Sequence, residues 1–184
     1  MSNIEQTLSI IKPDAVERNL QEEIKKKFIE NGFIIKKEKK IQISKAEAEE
    51  FYKVHETKPF YEELCNYLSS GPIVVMIIEK VNAVLENRKL MGATDPLKAE
   101  DGTIRKIYGI SIDKNSVHGS DSVDNAKIEI EFFFKSWEQF FAKLLDKVYF
   151  LQSKFFSRGF WVCLFLKFEF FFVLLFYQSQ INYF

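Results

Sequence analysis

"GPIVVMIIEK", Gly71–Lys80, is the most apolar short segment in the first 134 residues. Gly-Pro stands in front of it and charge behind it, the marks of a central strand buried on both faces. Working outward, "QTLSIIKP" (6–13) is a β-branched apolar run stopped by Pro13 and reads as another strand. "NLQEEIKKKFIENGF" spaces Leu20, Ile24 and Phe28 four apart, an amphipathic helix ended by Asn31-Gly32. "FIIKKEKKIQI" (33–43) reads as a partly solvated strand. Ser44 and Glu47 form a capping box, in which each side chain satisfies the other's free amide, and the helix they open runs to about His55. Pro59 opens the next helix, "PFYEELCNYLSS", and "AVLENRKLMG" is a short one ended by Gly92. Residues 94–116 are rich in turn formers and read as a long ordered loop. Asp121 or Ser120 caps a last helix ending in "EFFF". The fourth strand must be short, and 115–118 is its one apolar-flanked candidate. This order predicts an α+β fold, a ferredoxin-like α/β sandwich with a four-stranded antiparallel sheet covered by helices.

The chain has 184 residues, enough for one domain with a core, and its formal net charge is zero. Charge neutrality excludes a general nucleic-acid binder. Two distant cysteines with no C-x-x-C give neither a disulfide framework nor a zinc site, which fits a reducing cytosol. The N-terminus lacks a basic and an apolar region, so no signal peptide is expected and the expected location is cytoplasmic. Composition changes after Phe134: thirteen of the twenty Phe and both Trp lie there. Residues 1–134 are expected to be the folded domain and 135–184 a separate Phe-rich extension.

Two histidines occur, and His118 sits in "NSVHGSDSV", Asn115–Val123. A neutral imidazole is a nucleophile near neutral pH. Gly119 leaves room for a bulky anion, and Ser120 or Glu129 is placed to fix one ring nitrogen and leave the other free. On these residues alone, a loop histidine ahead of a helix cap remains the stronger reading. Lys12, Arg88 and Arg105 stand in apolar or turn-forming surroundings, unlike the solvated runs at 25–27 and 36–40. Around one histidine they would make a phosphate site, since phosphoryl transfer is mostly positioning and charge stabilisation; singly, each also reads as a surface charge. No P-loop and no kinase glycine loop is present. Phe60 is a candidate base-stacking aromatic or, equally, a core residue.

Together "IIKPDAV", "FYKVHETKPFYEEL", "SGPIVVMIIE", "NRKLMGATDP", "GTIRKIYG" and "NSVHGSDSVDNAKIEIEFFF" resemble, in colinear order over residues 5–134, the nucleoside diphosphate kinases. The resemblance implies transfer of the terminal phosphate of a nucleoside triphosphate to a diphosphate by a ping-pong mechanism, with His118 phosphorylated in between. It implies that Asn115 and Lys12 bind the ribose, with Lys12 also near the moving phosphate. Arg88, Thr94 and Arg105 then clamp phosphates, Phe60 and Ile112 flank the base, Tyr52 lies near the reacting phosphate, and Ser120 and Glu129 orient the histidine. Mg2+ is expected on the nucleotide phosphates. The expected partners are ATP and other nucleoside tri- and diphosphates, with broad base and sugar range, and further copies of the chain in a homotetramer or homohexamer. Ala15 and Glu22 depart from the family's usual glycines, away from these positions. A non-catalytic scaffold on the same fold is the rival reading, and retention of the whole set disfavours it.

The extension has no counterpart in that family. "FWVCLFLKFEFFFVLLFY", Phe160–Tyr177, carries Lys167 and Glu169. A spanning helix needs about 20 mostly apolar residues, and each central charge costs about 2.5–3.5 kcal/mol. A frameshifted or read-through segment is the preferred reading, ahead of a membrane anchor or an oligomer contact.

Overall fold

A computed structural model describes residues 4–134. The expectations for the Phe-rich extension fall outside these residues. Four strands, β1 (Ile4–Ile11), β2 (Ile34–Ile41), β3 (Ile73–Val81) and β4 (Val117–Gly119), form one sheet in the order β2-β3-β1-β4. All three pairings are antiparallel. Among the described residues seven α-helices accompany them: α1 (Pro13–Glu17), α2 (Gln21–Glu30), α3 (Lys45–Phe51), α4 (Tyr61–Leu68), α5 (Ala83–Met91), α6 (Ile104–Tyr108) and α7 (Val123–Phe134). This is the expected ferredoxin-like α/β sandwich.

The period of two along a strand sends alternate side chains to opposite faces, and β3 is apolar on both. Val74, Met76 and Ile78 join a core with Ala15, Ile24, Phe28, Met91 and Ile104, so α1, α2, α5 and α6 cover that side. Ile73 and Val75 join Leu8, Ile10, Ala48, Cys65, Leu68 and Phe133, so α3, α4 and α7 cover the other. Burying a side chain such as Phe28 or Leu68, both fully buried, contributes roughly 1.5–3 kcal/mol. The long helical stripe predicted at Leu20, Ile24 and Phe28 therefore points inward. The capping box at Ser44 and Glu47 is fully formed.

Several boundaries differ from the sequence reading. α3 stops at Phe51, and a separate 3-10 turn spans Lys53–His55. Pro59 and Phe60 precede α4 rather than open it; Phe60 is its N-cap. β4 is Val117–Gly119, starting two residues and ending one residue later than the expected 115–118. The loop 94–116 contains α6, and α1 was not anticipated because five residues carry no readable period. Neither Asp121 nor Ser120 caps α7. Ser122 does, its Oγ accepting from the Asn125 amide at 3.2 Å.

Candidate active site

In the sheet, His118 of β4 lies opposite Ile10 of β1. Residues paired across strands share a face, so the imidazole points to the α3/α7 side. There α7 presents Glu129, whose two carboxylate oxygens stand 3.3 and 3.2 Å from His118 Nε2. Ser120 donates to Glu129 Oε2 at 2.7 Å, so the carboxylate is itself held. The Nε2 side of the ring is thereby engaged, which leaves Nδ1. Tyr52 meets the ring edge-on at 6.0 Å between centroids, and Phe51 does so at 5.4 Å. Tyr52 is buried; desolvation first, and the Glu129 charge second, push its phenol well above the usual range.

A cavity of about 540 Å³ opens beside the histidine. His118, Lys12, Tyr52, Phe60, Arg88, Thr94, Arg105, Ile112, Asn115 and Glu129 all line it. Ser120, fully buried, stands behind the wall and acts on it through Glu129. The fold thus brings together residues from both ends of the described segment.

Lys12 and Arg105 are held by neutral hydrogen-bond partners. Lys12 follows β1 and is 5 % exposed; its Nζ donates to Asn115 Oδ1 at 2.8 Å. Burial first, then the Arg105 charge, lowers its pKa to about 8, against the opposing pull of Asp14 and Asp113. Arg105, on α6, donates Nη1 to the Gly92 carbonyl at 2.9 Å and Nη2 to the Val117 carbonyl at 3.1 Å. Its buried Nε has no partner among the described residues. Desolvation, then Arg88, draws its pKa down to about 10. Mutually repelling cations kept in place by carbonyl and amide oxygens favour the approach of an anion.

Asn115, beside Lys12, is anchored in turn, its Nδ2 donating to the carbonyls of Ile112 at 2.7 Å and Thr94 at 3.2 Å. At the rim, Phe60 and Ile112 are about half exposed, two apolar side chains facing one opening. Among the described residues, no group of three or more His, Cys, Asp or Glu is arranged to hold a metal ion.

Three features escaped the sequence reading. His55, read from the sequence as the end of the helix from Ser44, lies on the 3-10 turn and lines the cavity, its ring 6.1 Å from both Tyr52 and Phe60. The aromatic pair preceding that turn carried the only signal for it. Phe51 backs His118 and also packs on Phe132 and Phe133, a contact no local pattern announces. Gly119 lines the cavity and also has a packing role: a Cβ there would meet Asn87 Nδ2 at 2.4 Å and Met91 Cε at 2.8 Å. The missing side chain lets α5 approach β4.

Comparison with known proteins agrees with this geometry. The family model "Nucleoside diphosphate kinase" matches residues 5–140. The nucleoside diphosphate kinase of Wolinella succinogenes is 56 % identical over 135 residues, which are 73 % of this chain and 98 % of that protein. That of Campylobacter lari is also 56 % identical, with the same shares covered. Among solved structures, the Aquifex aeolicus nucleoside diphosphate kinase superposes with a TM-score of 0.70 at 39 % identity, covering 72 % of this chain and 96 % of that one. With a family match over most of its length and relatives this similar, the chain belongs to the nucleoside diphosphate kinase family.

Proposed function

We propose that the chain transfers the terminal phosphate of a nucleoside triphosphate to a nucleoside diphosphate through a phosphohistidine at His118. The observation that carries this is one ring with Nε2 held by Glu129, in a cavity whose other wall is Lys12, Arg88 and Arg105. In the first half-reaction the Nδ1 lone pair attacks the γ-phosphorus. The bond to the β,γ-bridging oxygen breaks, and the diphosphate leaves with that electron pair. Glu129 accepts a hydrogen bond from Nε2–H, which keeps its proton, and stabilises the positive charge the ring acquires. In the second half-reaction a β-phosphate oxygen of an incoming diphosphate attacks the same phosphorus and frees the imidazole.

Charge builds on the equatorial phosphate oxygens during transfer, and preorganised cations are the means of stabilising it. Lys12, Arg88 and Arg105 take this part, with Thr94 completing the phosphate clamp as a neutral donor and the Tyr52 hydroxyl kept neutral by burial. Asn115 and Lys12 hold the ribose. Phe60 and Ile112 sandwich the base; stacking adds area without reading base edges, which gives a broad range of bases and of sugars. Mg2+ would arrive on the nucleotide phosphates and would neutralise part of their charge during transfer.

Residues 1–134 form the kinase domain and 135–184 a separate extension. The working assembly is a homotetramer or homohexamer, and the location is the cytoplasm; among the described residues no helix is long and apolar enough to cross a membrane. The test is initial-rate kinetics with varied ATP and several diphosphates. Parallel double-reciprocal lines, for purine and pyrimidine acceptors alike, are the expected result; intersecting lines would mean direct transfer without the intermediate.

A further inference from the structure

Ser116, two residues before His118, has φ = +67°, a region side chains other than glycine rarely adopt. The Val117 amide donates to the Asn115 carbonyl across it at 2.8 Å. These are the marks of the rare positive-φ γ-turn, a strained conformation. Such strain persists only where the surroundings over-determine it. Here they do. Ser116 is fully buried, and its Oγ lies 3.0 Å from Asp14 Oδ2 and 2.9 Å from the Tyr108 carbonyl, one hydroxyl hydrogen facing two acceptors. The same Oγ accepts from Arg18 Nη2 at 3.1 Å.

Asp14 is the hub of this knot. Its other oxygen accepts from the Tyr67 hydroxyl at 2.5 Å, and Arg18 donates to Oδ2 at 2.9 Å. One buried carboxylate therefore ties α1, α4 and the segment leading into β4. The turn also meets the site directly. The Ser116 carbonyl accepts from the Lys12 amide at 2.9 Å, and the neighbouring Asn115 receives the Lys12 ammonium.

We propose that Ser116 is a positioning residue, its hydroxyl locked by Asp14 and Arg18 so that the strained turn holds Lys12 and Asn115 in register with His118. This rests on the functional reading given above. The residue touches neither nucleotide nor reacting atoms; it acts through Lys12 and Asn115. Burial hides it from any search of exposed or cavity-lining groups, and serine two positions before a histidine carries no motif of its own.

The experiment compares Ser116→Ala and Ser116→Gly with the wild type in the full chain. Alanine removes the hydroxyl and keeps the positive-φ penalty; glycine removes both. The two variants are thus expected to differ in melting temperature, glycine being the higher. Both should weaken ADP binding roughly fivefold, about the worth of one lost hydrogen-bonded link. Both should slow single-turnover phosphorylation roughly tenfold, a part of the hundredfold that about 1 Å of misplacement can cost. Equal functional losses at unequal stability support a positioning role. Wild-type ADP affinity in either folded variant, or function regained by glycine together with stability, would overturn it. A wild type that binds ADP without forming phosphohistidine overturns the functional reading instead, and the ADP arm still decides the role of Ser116.

Discussion

Glu129 faces one nitrogen of His118 and only that one: its carboxylate oxygens lie 3.2 and 3.3 Å from Nε2. A ring so held has a fixed tautomer, with the hydrogen on Nε2 and the lone pair on Nδ1. Glu129→Gln keeps the shape and removes the charge that stabilises the ring once it is phosphorylated. It should lower kcat roughly 10- to 100-fold, while Ser120→Ala, which frees one side of the carboxylate, should cost less. Stopped-flow phosphorylation by ATP measures both. An unimpaired Glu129→Gln would mean that the contact is structural only.

Lys12 gives a pH dependence with a definite sign. Its pKa sits near 8, below the usual lysine value, because it is buried and faces Arg105; Asp14 and Asp113 oppose the shift, and the Asn115 amide and Tyr67 ring complete its surroundings. A bound phosphate adds negative charge and raises that pKa again. Above pH 8 the free protein has lost part of the proton that the complex holds, so nucleotide binding should take up protons and weaken as pH rises. Calorimetry of ADP binding at pH 8.5 in buffers of different ionisation enthalpy reads the uptake directly. Proton release would contradict it.

Arginine and aromatic losses should differ in kind. On the proposed mechanism Arg88→Ala and Arg105→Ala each remove a cation that faces the transferring phosphate, and each should lower kcat by about 10²–10³, alike for all bases. Phe60→Ala removes stacking worth about 1–3 kcal/mol and should chiefly raise KM, with little change in preference among bases. Steady-state kinetics with four triphosphates separates the two patterns.

Gly119→Ala tests the packing of α5 on β4. The added methyl has no space against Asn87 and Met91, so a destabilisation of about 1–3 kcal/mol is expected, with slower phosphorylation as β4 shifts. Denaturant titration gives the first quantity. A neutral substitution would show that α5 moves aside at no cost.

A chain ending at residue 140, where the family match ends, should remain oligomeric and fully active, and should be more soluble than the full chain. Light scattering and specific activity on both proteins check this; a monomeric or inactive product would assign the extension to the working enzyme.

The fold was legible where one residue pattern answers to one physical cause. The run Ile73–Ile78 is apolar throughout because β3 is covered on both faces, and Leu20, Ile24 and Phe28 mark the single buried stripe of α2. Elements of five residues or fewer, such as α1, α6 and β4, gave no period to read. Within the site, the charged and aromatic residues were legible as a family pattern. Their cause was not: Arg105 is a phosphate ligand candidate because two carbonyls aim it, and Gly119 is required by α5, facts of tertiary packing. Phe51 and His55 join the site only after the chain turns at Tyr52. Ser116 is set by Asp14, 102 residues away, a relation no local reading can contain.

The most direct test of phosphotransfer through His118 is mass-spectrometric mapping of the phosphoenzyme trapped after brief exposure to ATP and Mg2+. The account predicts one acid-labile, base-stable phosphate, on Nδ1 of His118, which disappears on adding a nucleoside diphosphate and is absent from His118→Ala. Phosphate on another residue that still passes to the diphosphate, or equal labelling of His118→Ala, would contradict it.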